Sequence, residues 1–341
     1  MHSTQKIFKG PGSLQVALNS KEVNSCRRML LVTGAGSGKN IPVILSNSNL
    51  YREEMITPAG ILQVRDIPVV NNTDLVVAIG GGRVLDFAKA VINKNQLFDC
   101  ILLAAPTTAG SGSEATHFAV VFDGLEKISI EDPRLLPQIV VLDPELLRSL
   151  PSGQRAISAA DAFCQAVESA WSNNSNEESQ ARSLAAISAI KEIIAAHVFK
   201  KDMDIDLRMM EAAYLAGSAI AGTRTTGPHA LSYYLTSRYN LPHGQAVSLF
   251  LPLFFLYNAE ASLPVMEKIY LLLGVTDAEA AALFCRELFE KIGLATTFKE
   301  CGLNDIRIEE LIFSVNHQRF LNNPVSFDPE KLEFLIRKYI I

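Results

Sequence analysis

The sequence has little of what marks secreted, membrane or nucleic-acid-binding proteins. Its five cysteines form no C-x-x-C pair, and their odd number favours free thiols in a reducing compartment over a disulfide framework. The N-terminus lacks the apolar stretch of a secretory signal, and the most apolar run, 246–257, is too short to span a bilayer. The net charge is −5, with Lys and Arg scattered along the chain. We therefore expect a cytoplasmic protein that binds neither membranes nor nucleic acids.

The composition is that of a globular protein, with 48% apolar and 20% charged residues among 341. In the first 150 residues, short apolar runs end in Gly, Thr or Asp-Pro, a pattern that predicts parallel strands buried on both faces. These runs are 29–36, 75–82, 101–108 and 139–144. Residues 84–94 predict a crossover helix, and 116–122 with 126–130 predict a β-hairpin around Asp123-Gly124.

After residue 150 the pattern changes to long segments with helical periodicity and many alanines. We expect helices over 157–171, 178–199, 207–222 and 276–292, and a buried helix over 246–257. The expected fold class is an α/β, Rossmann-like domain over 1–150, followed by an all-helical domain over 151–341. The two domains are expected to pack around a cleft.

Three consecutive glycines, Gly80, Gly81 and Gly82, separate a predicted strand from the crossover helix. Glycine permits positive φ and a close approach of a phosphate to the backbone, and a helix N-terminus attracts anions. Arg83, in the first turn of this helix, would add positive charge. The stretch is not a G-x-G-x-x-G fingerprint, so a plain strand–helix turn is an equally good interpretation of this segment alone.

A second polar loop, 106–116, follows the next predicted strand and contains Thr107, Thr108 and Thr116 among five hydroxyl side chains. Ligands of open α/β sheets bind at the carboxyl ends of the strands. Two such loops after adjacent strands favour a dinucleotide site over two ordinary surface loops.

The helical half contains four candidate metal ligands. Asp161 and Gln165 are four residues apart, on one face of a predicted helix with apolar neighbours, and His229 and His243 are two of only six histidines. Two imidazoles and one carboxylate suit Fe²⁺ or Zn²⁺ with an open coordination position. Spacing alone leaves an alternative, in which Asp161 caps the helix and both histidines are hydrogen-bonded core residues.

Five motifs in order make the sequence resemble the iron-containing (group III) alcohol dehydrogenases, relatives of glycerol dehydrogenase and dehydroquinate synthase. They are AIGGG with the following D and AK, PTTAGSGSE, LDPELLRSLP, DAFCQAVES and HALSYYLTSRYNLPHG, and they cover residues 75 to 255. The opening IFKGPGSLQVAL is similar as well, whereas the last 80 or so residues match no motif of the family.

The resemblance implies a dehydroquinate synthase-like two-domain fold that binds a dinucleotide, NAD or NADP, and a divalent metal, Fe²⁺ or Zn²⁺. It places Asp161, His229 and His243 on metal-ligand positions. It also places a set of residues on or beside cofactor positions: Gly81, Gly82, Asp86, Thr107, Thr108, Thr116, Phe118 and Lys127. Members of the family form dimers and larger assemblies, so a homo-oligomer is expected.

The sequence departs from the family at four places. Gln165 stands where many members have a fourth histidine ligand, and Tyr233 stands where a further histidine is common, so a phenol, or water and ribose, would relay protons. Gly34 stands where NAD-preferring members tend to have an Asp that repels the 2′-phosphate of NADP. Because this repulsion is absent and Lys39 could approach the phosphate, NADP is favoured. The segment 40–74 is shorter than usual, which leaves the adenine end of the cofactor site open.

Within the family, the helical motifs resemble a branch of phosphonoacetaldehyde reductases, which also tend to carry Gln at position 165. Arg224 and Arg238 flank His229 in sequence and are candidate ligands of a phosphonate, although both would equally suit surface ion pairs. The favoured function is therefore metal-dependent, NAD(P)H-linked reduction of an aldehyde, with Tyr233 and His243 at the reacting centre. A general alcohol dehydrogenase, a dehydroquinate synthase-like lyase and a catalytically weakened nucleotide-binding protein are the alternatives.

Overall fold

The computed structural model describes residues 5–35, 51–124, 126–196, 199–261, 263–315 and 317–341. The chain divides into two compact units. The first comprises Met1–Leu150 and Lys201–Tyr214, and the second comprises Pro151–Lys200 and Leu215–Ile341. The predicted domains stay a prediction, and the structure groups Lys201–Tyr214 with the first unit, whereas the sequence assigned this segment to the second. Lys39 and much of the shortened segment lie outside the described residues.

The first 150 residues form a sheet with helices against both of its faces. The elements are β1 (Lys6–Lys9), α1 (Ser13–Leu18), α2 (Lys21–Asn24), β2 (Arg28–Thr33), β3 (Tyr51–Ile56), β4 (Leu75–Gly80), α3 (Gly82–Lys94), β5 (Ile101–Pro106), β6 (Phe118–Asp123), β7 (Glu126–Glu131) and β8 (Ile139–Leu142). Strands β6 and β7 form a separate antiparallel hairpin. Every predicted strand, the hairpin and the crossover helix are confirmed.

The main sheet is parallel and has the strand order β1-β8-β5-β4-β2-β3. Because successive side chains of a strand point to opposite faces, alternate residues of β4 enter two separate hydrophobic clusters. Val76 and Ala78 pack with α3, whereas Val77 and Ile79 pack with α1. Burial on both faces explains why these strands are apolar throughout.

The pattern of apolar runs did not predict strand β3. Its sequence, YREEMI, has charged residues in the middle, and most of its side chains are exposed. It pairs with β2 at the border of the described sheet, so it lacks the double-sided burial that produces a continuous apolar run.

The strand order reverses between β2 and β4. From β2 the chain adds β3 on one side, and then continues on the other side with β4 and β5. Thr33 pairs with Ile79, and Gly80 pairs with Pro106, so the residues that follow these three strands lie at one edge of the sheet. Such a reversal is where open α/β sheets bind ligands.

After residue 150 the described chain is helical and contains no strand. Its helices are α4 (Ser152–Trp171), α5 (Glu177–Ala196), α6 (Met203–Thr223), α7 (Gly227–Tyr239), α8 (His243–Asn258), α9 (Pro264–Leu273), α10 (Ala278–Lys291), α11 (Ile308–Phe313), α12 (His317–Phe320) and α13 (Pro329–Tyr339). The four predicted helices and the buried helix at 246–257 are confirmed.

Helices α4 and α8 form the centre of the second unit, and nearly every side chain of both is buried. Small residues make this possible in α4, where alanines recur from Ala156 to Ala170. No described helix has both the length and the apolar character needed to cross a membrane. All five cysteines are free thiols.

Candidate metal centre and cofactor loops

Three predicted metal ligands meet within the second unit. Asp161 comes from the middle of α4, His229 from the first turn of α7, and His243 is the first residue of α8. One ligand atom from each lies within 4.8 Å of the others. The Nε2 of His229 is 3.5 Å from Oδ1 of Asp161, and the two imidazole centroids are 5.2 Å apart. The structure therefore brings together ligands that are 82 residues apart in sequence.

Gly244 allows α8 to begin against α4. A Cβ atom at this position would overlap the carbonyl oxygen of Ile157 and would lie 3.0 Å from Cβ of Asp161. Because that oxygen belongs to the helix backbone, a change of rotamer cannot remove the overlap. The glycine thus explains how His243 comes within reach of Asp161.

Gln165 lies one helical turn after Asp161 and is also buried. Two atoms of this pair, Oδ1 of Asp161 and Oε1 of Gln165, have no hydrogen-bond partner. Buried oxygens without partners are costly, and a bound cation would compensate them. Two imidazole nitrogens, a carboxylate and an amide oxygen also match the donor set of Fe²⁺ or Zn²⁺. The residues therefore fit a divalent metal.

Glu168, which sequence reasoning missed, holds His229 from behind. Its Oε2 accepts a hydrogen bond from Nδ1 of His229, while its Oε1 accepts from the Thr226 backbone N–H at 2.8 Å, the Thr226 hydroxyl at 3.0 Å and the His229 backbone N–H at 3.3 Å. Trp171 donates its Nε1–H to the same Thr226 hydroxyl at 3.0 Å. A carboxylate that accepts from Nδ1 leaves the lone pair of Nε2 facing Asp161.

The charges around His229 favour a cation. Burial opposes a charge on this imidazole, but the Glu168 carboxylate, the hydrogen bond with it and the nearby Asp161 carboxylate outweigh burial and raise its pKa to about 10. Burial raises the pKa of Asp161, yet the approach of the His229 Nε2 and the charges of both imidazoles bring it below its ordinary value. A divalent metal would compensate these carboxylates in place of the imidazole proton.

Tyr233 joins the cluster through His243. It follows His229 by one helical turn, and its ring stacks on the His243 ring with centroids 5.6 Å apart and an interplanar angle of 13°. The phenol is half-buried. This places Tyr233 beside the candidate metal ligands, and its role at a reacting centre stays a prediction.

The two arginines lie in different surroundings. Arg224 is half-buried, has a φ of 64° and precedes by two residues Thr226, whose N–H donates to Glu168. Arg238 is nine residues after His229, about 13 Å along the helix axis. Its side chain is 49% exposed and pairs with Glu310 at 3.5 Å. The structure does not bring Arg238 to the cluster.

The glycines after β4 act by close approach rather than by positive φ. Gly81 has a φ of −72°, and neither Gly80 nor Gly82 belongs to the glycines with positive φ. A Cβ at Gly82 would overlap the Ser111 hydroxyl, and one at Gly81 would be 3.4 Å from the side chain of Thr108. The positive φ that glycine permits is therefore not used here. Gly82 is needed because the second polar loop packs on this turn, whereas a Cβ at Gly80 would overlap the side chain of Val84.

The remaining residues of the two loops lie at the same edge of the sheet. The Thr107 N–H donates to the Gly80 carbonyl at 3.0 Å, and Thr107 and Thr108 are half-buried. Gly34 directly follows β2. Arg83 is exposed and donates to the Gly60 carbonyl at 2.8 Å, which turns its charge away from the position that the sequence predicted.

The half-buried Asp86 forms a polar group with residues of the segment 113–120. The carboxylate of Asp86 accepts from the Ser113 hydroxyl at 2.7 Å and from the Val120 N–H at 3.1 Å. Burial raises its pKa, whereas Lys89, the Ser113 hydrogen bond and, to a smaller extent, Lys127 lower it. Lys127 is thus close to Asp86.

Lys89 is a second residue that sequence reasoning missed. It is 0% exposed, and its ammonium donates to the Ser113 carbonyl at 2.6 Å, the Ser113 hydroxyl at 3.0 Å, the Thr116 hydroxyl at 3.1 Å and the Phe118 carbonyl at 3.0 Å. Lys89 is the last residue of the motif that begins with AIGGG, so the sequence contained its signal, but no role was assigned to it. Thr116, a predicted cofactor residue, therefore uses its hydroxyl within this group.

Comparison with known families decides the classification. A family model described as iron-containing alcohol dehydrogenase matches residues 4–144, and one described as Fe-containing alcohol dehydrogenase family, C-terminal, matches residues 155–340. The chain belongs to the iron-containing alcohol dehydrogenase family. This family member is therefore an oxidoreductase, as the sequence predicted, and the family model also extends over the last residues, in which no motif was recognised.

Relatives of this family member include alcohol dehydrogenase 4 of Saccharomyces cerevisiae, 28% identical over 97% of this chain and 96% of the relative. Phosphonoacetaldehyde reductase of Streptomyces viridochromogenes is 35% identical over 54% of this chain and 53% of the relative. Among solved structures, sulfoacetaldehyde reductase of Bifidobacterium kashiwanohense in complex with NAD⁺ has a TM-score of 0.85 and 25% identity, covering 98% and 96% of the two chains. The predicted two-domain fold class is confirmed.

Proposed function

We propose that this chain catalyses the metal-dependent, NAD(P)H-linked reduction of a small anionic aldehyde to a primary alcohol, with phosphonoacetaldehyde as the candidate substrate. The observation that carries the proposal is the cluster of buried Asp161, buried His229 and half-buried His243. Its uncompensated oxygens and oriented imidazole suit Fe²⁺ or Zn²⁺. Gln165 is proposed as a fourth, weaker ligand through its amide oxygen.

The protein's own residues arrange the reacting groups. Asp161, His229 and His243 would hold the metal, which supplies Lewis-acid polarisation of the carbonyl oxygen. Glu168 fixes the tautomer of His229. Asp161, Gln165 and His229 are buried, so water has little access to their side chains. Tyr233, stacked on His243, is the proposed carrier of the proton for the alkoxide oxygen, directly or through water and ribose.

The loops of the first unit are the proposed cofactor site. Gly80, Gly81 and Gly82, with Thr107 and Thr108, would bind the dinucleotide, which supplies the hydride. Asp86, Thr116, Phe118 and Lys127 complete that proposed set. Gly80 ends β4 and Thr107 directly follows β5, beside the reversal of strand order, and this position supports the assignment of the two loops.

Gly34 supports NADP as the preferred dinucleotide. A glycine directly after β2 presents no carboxylate to repel a 2′-phosphate. We expect Gly34→Asp to lower kcat/KM with NADPH by about tenfold or more, because an added negative charge near the phosphate is unfavourable. A variant with an unchanged NADPH to NADH ratio would contradict this assignment.

The anionic substrate class is supported by two relatives, whose names state reductase activity on phosphonoacetaldehyde and sulfoacetaldehyde. A fixed guanidinium would recognise such a head group. Arg224 is the proposed residue because it is half-buried and two residues before Thr226, which donates to the Glu168 that holds His229. Arg238, which the sequence proposed equally, is paired with Glu310 and serves as the matched control.

The deciding experiment measures oxidation of NADPH and NADH by the Fe²⁺- or Zn²⁺-loaded enzyme, with phosphonoacetaldehyde and with simple aldehydes. We expect a preference for the phosphonate that is lost in Arg224→Ala and kept in Arg238→Ala. Turnover of simple aldehydes alone would indicate a general alcohol dehydrogenase. Binding of the dinucleotide without turnover of any aldehyde would favour the weakened nucleotide-binding protein.

A further inference from the structure

One face of α3 holds the segment 113–120 in place through two charged side chains. Asp86 and Lys89 are three residues apart and thus lie on the same side of the helix. Asp86 accepts from the Ser113 hydroxyl and the Val120 N–H, and Lys89 donates to Ser113, Thr116 and the Phe118 carbonyl. We call this arrangement the Asp86–Lys89 clamp.

The clamp is costly to bury, which indicates that it does more than fill space. An ammonium without solvent is unfavourable, and burial lowers the pKa of Lys89 to about 8, although the charges of Asp86 and Glu114 partly offset this effect. An apolar side chain of similar length would fill the same volume without that cost. What the ammonium adds is a fixed geometry, since it ties the residues of one loop to a single atom.

The order of the strands indicates which half of the dinucleotide the clamped segment would meet. On the proposed function, the adenine ribose lies near Gly34 after β2, and the pyrophosphate lies at the glycine turn after β4. Strand β5 is the next strand in the same direction across the sheet, and its loop leads into 113–120. The nicotinamide half is therefore expected beyond β5, beside this segment.

We infer that the Asp86–Lys89 clamp positions the segment 113–120 for the nicotinamide half of the cofactor, with Lys89 as a positioning residue that does not touch the cofactor. This inference rests on the proposed function. It distinguishes Lys89, which holds the segment in register, from the residues that are proposed to bind the dinucleotide.

The test compares two ligands on the full-length protein by titration. The dissociation constant of NADPH or NADH, followed by the fluorescence of the reduced nicotinamide, reports both halves. The second ligand is ADP-ribose or its 2′-phosphate, which lacks the nicotinamide. Its binding is measured by calorimetry. The variant Lys89→Met removes the ammonium at similar length. The matched control is Lys94→Met on the same helix, because Lys94 donates only to the Ile67 carbonyl.

We expect Lys89→Met to weaken binding of the reduced dinucleotide by about tenfold, and to leave the ADP-ribose ligand within about twofold of the wild type. Lys94→Met should leave both unchanged. Equal weakening of both ligands in Lys89→Met, or no weakening of either, would overturn the inference. A wild-type protein that binds no dinucleotide would instead contradict the proposed function.

Ser113→Ala provides a second variant if Lys89→Met does not fold. It removes the hydroxyl that joins Lys89 to Asp86 and keeps the ammonium bonded to backbone carbonyls. A selective loss of about threefold for the reduced dinucleotide supports the clamp. Unchanged affinity in the folded Ser113→Ala protein argues against it.

Discussion

Replacing Glu168 with Gln should impair metal binding through the tautomer of His229. Three donors converge on Oε1 of Glu168: the Thr226 N–H, the Thr226 hydroxyl and the His229 N–H. A glutamine must place its carbonyl oxygen there to keep these hydrogen bonds, so its NH₂ group faces Nδ1 of His229. Nδ1 then has to accept, which moves the imidazole proton to Nε2 and removes the lone pair that faces Asp161.

The expected loss follows from this change of tautomer. Substitutions of carboxylates that orient a metal-bound histidine cost about 10- to 100-fold in metal affinity. Because all the competing donors favour the wrong tautomer here, we expect the upper end, about 100-fold or about 2.8 kcal/mol. The assay is a competitive titration of metal-free protein with Zn²⁺, or with Fe²⁺ under anaerobic conditions, against a chelator of known affinity.

Thr226→Val is the control that separates metal affinity from stability. It removes one donor to Glu168 and leaves the Trp171 N–H without its acceptor, at a cost of about 1–3 kcal/mol in the free energy of unfolding. Its metal affinity should nonetheless stay within about threefold of the wild type, because the contact between Glu168 and His229 persists. A Glu168→Gln protein that binds metal as tightly as Thr226→Val would refute the argument.

Three further predictions concern single positions. Gly244→Ala should lower the free energy of unfolding by about 1–3 kcal/mol in urea and reduce bound metal, because its Cβ overlaps the Ile157 carbonyl. Gly222→Ala is the control and should leave the free energy of unfolding unchanged, because there is open space around a Cβ at this position. Equal destabilisation by the two substitutions would contradict the prediction. Burial raises the pKa of Glu114 from 4.5 to about 7. Between these two pH values the folded state keeps a proton that the unfolded state has released, so the free energy of unfolding falls as the pH rises. The free energy of unfolding of Glu114→Gln, measured in urea, should therefore rise by about 2–3 kcal/mol relative to that of the wild type between pH 5 and pH 8. The same difference between the two proteins at both pH values would count against this prediction. Gln165→Glu should raise Zn²⁺ affinity by about tenfold if its side-chain oxygen is a ligand, and unchanged affinity in the chelator titration would exclude that role.

The strands and helices followed from periodicity because their burial is uniform. β4 is apolar at every position since helices cover both faces of the sheet, and α4 is rich in alanine since other helices surround it. Strand β3 was not predicted from its sequence because its side chains are mostly exposed and it has no apolar run. The sequence pattern therefore reports burial more directly than hydrogen bonding.

The candidate metal ligands were assigned through the motifs, whereas Glu168 and Lys89, which lie in the same motifs, were given no role. Glu168 and Lys89 are charged residues on helices, and charged residues on helices are usually exposed. Their burial depends on α7 in one case and on the segment 113–120 in the other, both distant in sequence. The glycine turn was recognised, but its reason was a contact with Ser111 that spacing could not reveal.

The polar edge strand has a consequence for how copies of the protein meet in solution. An open strand edge offers N–H and C=O groups to any extended chain, and proteins discourage such pairing with charged side chains. β3 carries Arg52, Glu53 and Glu54 in succession, and Arg52 pairs with Glu54 at 2.8 Å. Tyr51 and Ile56, both largely exposed, stand at either end of these charges. Among the described strands β3 is the last of the sheet, and neutralising its three charges is expected to favour pairing between copies at this border.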